Sequence, residues 1–185
     1  NWGRLLPQIV YYISAYCDLV NAGKIAMGDK INVVVPTGNF GNILASYYAS
    51  IMGLPINKFI CASNSNNVLS DFIKTGVYDK NRHFYTTISP SMDILVSSNL
   101  ERLIFRIAGD DAKKTAEMMD ALKTTGKYTI TDEMKSKLAD FTGGWASEED
   151  TAKEIKRVFD ETGYVMDTHT AVASSVSYIQ RKDKR

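Results

Sequence analysis

The sequence has few of the features that mark secreted, membrane-bound or nucleic-acid-binding proteins. Its only two cysteines, Cys17 and Cys61, lack the Cys and His spacing of a disulfide framework or a zinc site, which predicts reduced thiols packed in the core. The 22 basic residues nearly balance the 21 acidic ones, so no strong electrostatic field favours a nucleic-acid or membrane partner. We therefore expect a cytoplasmic protein without such partners.

Long apolar runs of the kind that span membranes or begin a signal peptide are also missing. The longest apolar stretch, residues 5–20, contains Gln8, Ser14 and Asp18, and it has neither a basic leader nor a small-residue cleavage site. Residues 1–4 contain no methionine and lead directly into this stretch. This start predicts that the chain is a piece of a larger protein.

The length and the apolar pattern predict one domain of the α/β class. With 44% hydrophobic residues, residues 1–185 can bury one sizeable core. Helical spacing of apolar residues over 5–20 predicts a mostly buried first helix. Residues 31–35 are apolar on both faces, as in a central parallel strand, and a helix over 43–52 and a strand over 58–62 follow. This order predicts a parallel sheet flanked by helices.

The second half of the chain is predicted to be rich in helices. Helical periodicity or capping signals predict helices over residues 68–75, 112–124, 131–141 and 147–162. A capping box at residues 98–101 predicts the start of another helix. Residues 164–166 are predicted as a short strand, and a final helix begins near Thr170.

A loop with two glycines, residues 37–42, is the segment best suited to bind an anion. A buried strand that leads through glycines into a helix directs backbone N–H groups at one point, and the helix dipole favours negative charge there. Asn39 and Asn42 could add side-chain donors. The loop matches neither the P-loop nor the dinucleotide-binding pattern. From spacing alone, a loop that only reverses the chain direction fits these residues as well.

Four segments in order resemble the threonine synthases, which belong to the tryptophan-synthase-β-like group of pyridoxal-phosphate enzymes. The matching residues are 1–4 with 8–12, 35–42, 89–94 with 97–102, and 167–172. The resemblance spans nearly the whole chain and implies the fold of that group's large domain. The first and third segments favour threonine synthases over the related threonine dehydratases and cysteine synthases.

The resemblance implies a cofactor site for pyridoxal 5'-phosphate. The backbone amides that would bind its phosphate are those of Gly38, Asn39, Phe40, Gly41 and Asn42. The hydroxyl of Thr170 would face the pyridine nitrogen and leave it largely unprotonated. Alternatively, Thr170 is the N-cap of the last helix. His169 is either a site residue or a hydrogen-bonded turn residue. Ser91 and Asp93 belong to a shared motif without an assigned role.

The resemblance also implies a reaction that this chain cannot complete. Asn1 and Arg4 would lie near the substrate, where Arg4 would bind the phosphate of O-phospho-L-homoserine, although Arg4 could instead be a solvated or structural charge. The parent enzyme would convert O-phospho-L-homoserine and water to L-threonine and phosphate. It needs a lysine that holds the cofactor as a Schiff base.

In the family that lysine lies upstream of the residues matched by Asn1, and no lysine of this chain has an apolar context that would lower its pKa. We therefore expect no catalytic residue here, an inactive chain, and the missing N-terminal part of the same enzyme as its partner. No metal is implied. Two alternatives remain: a phosphate-ligand binding module without chemistry, and another enzyme of the same cofactor group.

Overall fold

The computed structural model describes residues 2–181. The helices are α1 (Trp2–Asn21), α2 (Gly41–Ile51), α3 (Val68–Thr75), α4 (Leu100–Ile107), α5 (Ala112–Thr124), α6 (Asp132–Ser136), α7 (Glu148–Thr162) and α8 (Thr168–Gln180). The strands are β1 (Ile31–Pro36), β2 (Ile56–Ser63), β3 (Val77–Asp79), β4 (Lys127–Thr129) and β5 (Phe141–Trp145). A short 3-10 helix covers Pro90–Met92.

The centre of the fold is a parallel sheet in the order β1-β2-β5, and β3 pairs with β4 as a small antiparallel sheet. Helices α2 and α3 pack on one face of the larger sheet, and α8 packs on the other. This arrangement confirms the predicted α/β class with a parallel sheet flanked by helices. Among the strands of residues 2–181, β1 pairs with β2 alone, so it lies at the edge of this sheet and not at its centre, where it was predicted. Its two apolar faces are explained by the helices that cover it.

Strand β5 was not predicted, because its middle residues are Gly143 and Gly144, which carry no apolar pattern. The predicted helix over 131–141 is wrong: α6 ends at Ser136, and Phe141 already belongs to β5. A Cβ placed on Gly143 would lie 2.6 Å from the carbonyl oxygen of Ser70 in α3, and one on Gly144 would lie 2.5 Å from Val176 Cγ1 in α8. The two glycines therefore let helices approach the sheet closely from both sides.

We expect Gly143→Ala to destabilise the protein by about 1–3 kcal/mol, because the new methyl group meets α3 backbone that cannot rotate away. Urea unfolding of the variant measures this free energy. Thr142→Val is the control, since it keeps the size of a half-buried neighbour in the same strand. A Gly143→Ala protein as stable as this control would contradict the close approach of α3.

Two of the predicted helices have the expected bounds, and a third has the expected caps. Helices α3 and α5 begin and end at the predicted residues. Helix α7 opens with a capping box between Ser147 and Asp150, and it ends at Gly163, whose φ of 74° is in the left-handed region. These signals are local, so the sequence alone was sufficient to predict them.

Other local predictions are wrong. Helix α4 buries the expected stripe, but its N-cap Asn99 makes no side-chain capping bond, so the capping box at 98–101 is absent. Residues 164–166 form no strand. The N-cap of α8 is Asp167, whose carboxylate accepts from the amides of His169 and Thr170, so Thr170 is not the cap.

Helix α1 is less buried than its apolar sequence predicts. Its buried residues are Leu5, Ile9 and Tyr16, while several large apolar side chains are exposed: Trp2, Leu6, Val10, Tyr11, Ile13 and Leu19. Cys17 is exposed too, so the prediction that both thiols pack in the core holds for Cys61 alone. Burial raises the pKa of the Cys61 thiol to about 12. Within residues 2–181, no helix combines the length and the apolar composition that crossing a bilayer requires.

Candidate functional site

The loop over residues 37–42 joins the carboxyl end of β1 to the first turn of α2. In open parallel sheets this edge is where ligands bind. Phe40 is the N-cap of α2 and has a left-handed backbone, with φ 66° and ψ 2°. Its side chain is 1% exposed and stacks on Phe141 at 6.3 Å between ring centroids. The side chain of Phe40 therefore holds the loop against the core, while its backbone N–H stays part of the loop surface that could contact a ligand.

The loop presents several backbone N–H groups that have no acceptor. Within residues 2–181, the amides of Gly38, Asn39, Phe40 and Asn42 donate to no protein group. The Gly41 amide donates to Asn39 Oδ1 at 2.9 Å, and the Leu44 amide is the first to bond back to Phe40. Unsatisfied donors at a helix N-terminus, together with the helix dipole, form an anion-binding site.

The neighbouring segment fixes the direction of these amides. Ser97 Oγ donates to the carbonyl oxygen of Gly38 at 2.8 Å, and Asn99 donates to that of Asn39 through its backbone N at 3.0 Å and its Nδ2 at 2.9 Å. In a trans peptide the carbonyl and the following N–H point in opposite directions. Because both carbonyls face residues 97–99, the N–H groups of Asn39 and Phe40 point away from that segment.

Gly38 is required for packing. A Cβ at this position would lie 2.5 Å from the carbonyl oxygen of Ser91 and 3.3 Å from Met92 Cα. The loop therefore lies directly against the 3-10 helix Pro90–Met92. A side chain at Gly38 would push these two segments apart.

The side chain of Asn42 bonds to helix α1. Its Oδ1 accepts from the Tyr12 hydroxyl at 2.5 Å, and its Nδ2 donates to Gln8 Oε1 at 3.0 Å. Burial raises the pKa of Tyr12, so this hydroxyl stays protonated and able to donate. Asn42 thus links α2 to α1 through its side chain, while its backbone N–H has no acceptor among residues 2–181.

A cleft of about 450 Å³ lies beside the loop and contains Arg4 together with Asn39 and Gly41. Its lining also includes Glu101 and a second arginine, Arg102, whose Nη1 donates to Asn99 Oδ1 at 2.9 Å. Sequence reasoning did not single out Arg102, since nothing in its helical context distinguishes it from a surface charge. Asn1 lies outside the described residues. A larger cleft, of about 650 Å³, contains no residue of the loop.

A buried polar network explains Asp93, for which the sequence suggested no role. Asp93 Oδ1 accepts from Asn64 Nδ2 at 2.7 Å and from Asn66 Nδ2 at 3.0 Å, and its Oδ2 accepts from the Thr87 amide at 2.9 Å. Both asparagines are buried and lie within three residues of the end of β2. Asp93 therefore holds the chain around residues 87–93 over the carboxyl end of β2. The pair of asparagines just after a predicted strand was the signal that could have indicated this network.

Comparison with known proteins identifies the relatives of this chain, although no protein-family model matches it. It is 50% identical over 179 residues to threonine synthase-like 1 of Homo sapiens, covering 96% of this chain and 24% of that protein. It is 40% identical to threonine synthase of Saccharomyces cerevisiae, covering 93% of this chain and 36% of that protein. This chain is a homologue of the threonine synthases.

Solved structures agree with this homology. The structure of pyridoxal-phosphate-bound threonine synthase from Brucella melitensis matches all of this chain with a TM-score of 0.92 and 39% identity. Yeast threonine synthase matches with a TM-score of 0.91 and 36% identity. This chain spans 24% to 39% of the lengths of these relatives.

The remaining residue expected from the threonine synthase resemblance, Thr170, lies in the first turn of α8. It is exposed, and its amide donates to Asp167 Oδ1 at 3.2 Å. The amide of Thr170 and, to a lesser extent, the amide and ring of His169 hold the pKa of Asp167 below its usual value. The neighbouring His169 bonds to Ser91, which places this turn beside the segment that contacts Gly38.

The threonine synthase reaction needs a lysine in an apolar pocket, and the described part of this chain offers none. Within residues 2–181 no lysine is buried, and no lysine lines the cleft beside the loop. Two lysines make long-range contacts: Lys58 donates to the Ala139 carbonyl and pairs with Asp140, and Lys137 donates to the Ile107 carbonyl.

Proposed function

We propose that this chain supplies the cofactor-phosphate cradle of a pyridoxal-phosphate-dependent threonine synthase. The observation that carries the proposal is the set of N–H groups without acceptors in the loop over residues 37–42. Homology to threonine synthases over most of the chain, and likeness to a pyridoxal-phosphate-bound threonine synthase structure, support it.

The residues present fit a phosphate group. The backbone amides of Gly38, Asn39, Phe40 and Asn42 have no acceptor among residues 2–181, and residues 37–42 contain no carboxylate that would repel an anion. Gly41 begins α2, so the helix dipole adds to the attraction. The Gly41 amide donates to Asn39 Oδ1, and this bond shapes the turn. For the Gly41 amide to donate to the cofactor phosphate as well, this bond would have to open.

Pyridoxal phosphate, when bound, would act as an electron sink for charge that develops on the substrate. The residues of this chain would bind the cofactor and the substrate and orient them. The loop would hold the phosphate, the Thr170 hydroxyl would face the pyridine nitrogen as a neutral partner, and Arg4 would bind the substrate's phosphate from the adjoining cleft. Asn1 would complete the substrate contacts.

We further propose that the parent protein converts O-phospho-L-homoserine and water to L-threonine and phosphate in the cytoplasm. Residues 1–185 would form a single domain within it. The lysine that binds the cofactor covalently would lie in the N-terminal part of the same enzyme, which agrees with the finding that no described lysine here is buried. The chain by itself would therefore be inactive.

The test follows phosphate release and threonine formation together in the full-length protein supplied with pyridoxal phosphate and O-phospho-L-homoserine. We expect the two products in equal amounts, and none from residues 1–185 alone. L-homoserine, which lacks the phosphate leaving group, is the control substrate and should give no threonine. Cofactor binding without either product would contradict the reaction and favour a related pyridoxal-phosphate enzyme or a binding module.

A further inference from the structure

His169 connects two segments that are far apart in the sequence. Its Nε2 lies 3.2 Å from the backbone N of Ser91, and its Nδ1 lies 3.1 Å from Asp167 Oδ1. The ionised Asp167 carboxylate can only accept, and a backbone N–H can only donate. The ring proton is therefore on Nδ1, and Nε2 is the acceptor for the Ser91 amide.

The Ser91 amide needs this acceptor because its own segment provides none. Pro90 and Ser91 begin a 3-10 helix, and the first amides of such a turn have no partner within it. The Met92 amide bonds to the Ser89 carbonyl, whereas the Ser91 amide bonds to His169. The imidazole thus fixes the position of the peptide that contains this amide.

The same segment lies against the phosphate-binding loop. The Ser91 carbonyl oxygen is so close to Gly38 that a Cβ there would lie 2.5 Å away. Met92 of this segment is also buried in a cluster with Val172 and Val176 of α8. Residues 90–92 are therefore held between α8 and the loop, and His169 supplies the directional contact on the α8 side.

We propose that His169 is a positioning residue that couples α8 to the phosphate-binding loop through Ser91. The inference rests on the proposed cofactor site and assigns to it a residue outside the loop. Asp167 orients the ring, the ring orients Ser91, and Ser91 limits where Gly38 and the amides that follow it can lie.

Two substitutions separate this role from simple packing. In His169→Gln, the side-chain oxygen can take the place of Nε2 and accept from Ser91. In His169→Asn, the shorter side chain can still reach Asp167 from the place of Nδ1 but cannot reach Ser91. Both variants are uncharged and polar. His169→Asn keeps the contact with Asp167 and His169→Gln keeps the contact with Ser91, so their comparison shows which of the two contacts the loop depends on.

The first measurement is hydrogen–deuterium exchange in the full-length protein without cofactor. We expect His169→Asn to exchange faster than wild type in peptides that cover residues 89–93 and 38–44, where the bonded amides of Gly41 and Leu44 report on the loop, and His169→Gln to resemble wild type. Exchange that is unchanged in His169→Asn, or changed only in residues 89–93, would overturn the coupling.

The second measurement is the dissociation constant for pyridoxal 5'-phosphate. We expect His169→Asn to bind about two- to tenfold more weakly, as the loss of one hydrogen bond implies, and His169→Gln to recover wild-type affinity. Equal losses in both variants would overturn the positioning role. If the wild-type protein itself fails to bind the cofactor, the proposed function is refuted, while the exchange comparison still decides the role of His169.

Discussion

Phe40→Ala is expected to destabilise the protein by about 3–5 kcal/mol, the usual cost of removing a buried phenyl ring. This result would be unusual for a residue of a ligand-binding loop, since such loops are commonly exposed and tolerant of change. The reason is geometric. The left-handed backbone at Phe40 turns its side chain into the core, where it is 1% exposed and stacks on Phe141.

The free energy of unfolding of the full-length protein, from urea titration with and without pyridoxal phosphate, measures this effect. Phe40→Leu is the matched control, because it keeps most of the buried apolar volume and should cost clearly less than alanine. Should alanine and leucine cost the same, the ring would not be a packing element and the loop's attachment to the core would need another explanation.

Gly38→Ala is expected to weaken pyridoxal phosphate binding by about 5- to 150-fold, if the 1–3 kcal/mol typical of overpacking falls on the loop. The added Cβ would lie 2.5 Å from the Ser91 carbonyl oxygen, which belongs to the backbone and cannot rotate away. Either the loop or residues 90–92 must move, and the amides that follow Gly38 move with the loop.

Cofactor titration of the full-length variant checks this prediction. Ser50→Ala is a suitable control, since it removes only a side-chain bond to the Tyr47 carbonyl within α2, on the third turn of the helix away from the loop. An unchanged affinity for Gly38→Ala, with unchanged stability, would show that the loop and the 3-10 helix are not in the tight contact described above.

Local sequence signals predicted much of this fold. The glycine that ends α3, the capping box that opens α7 and the β-branched residues of β1 act within one element, so they can be identified without knowing what packs against them. Strand β5 could not be found in this way. Its Gly143 and Gly144 make sense only once α3 and α8 are known to approach the sheet from opposite faces.

For the candidate site, too, some features follow from the sequence and others only from the tertiary structure. The sequence by itself determined the position of the glycine loop between a strand and a helix, and its resemblance to threonine synthases. The tertiary structure alone decided which groups of that loop are available: the Asn42 side chain is bound by Gln8 and Tyr12, while the amides of Asn39 and Phe40 have no acceptor among residues 2–181.

Tertiary structure also placed Arg102 in the cleft with Arg4 and joined His169 to Ser91, a contact across 78 residues of sequence. The physical reason is the separation in sequence between the residues that interact. Turn and capping preferences depend on residues a few positions apart, whereas hydrogen-bond partners and close approaches depend on which distant segments the folded chain brings together.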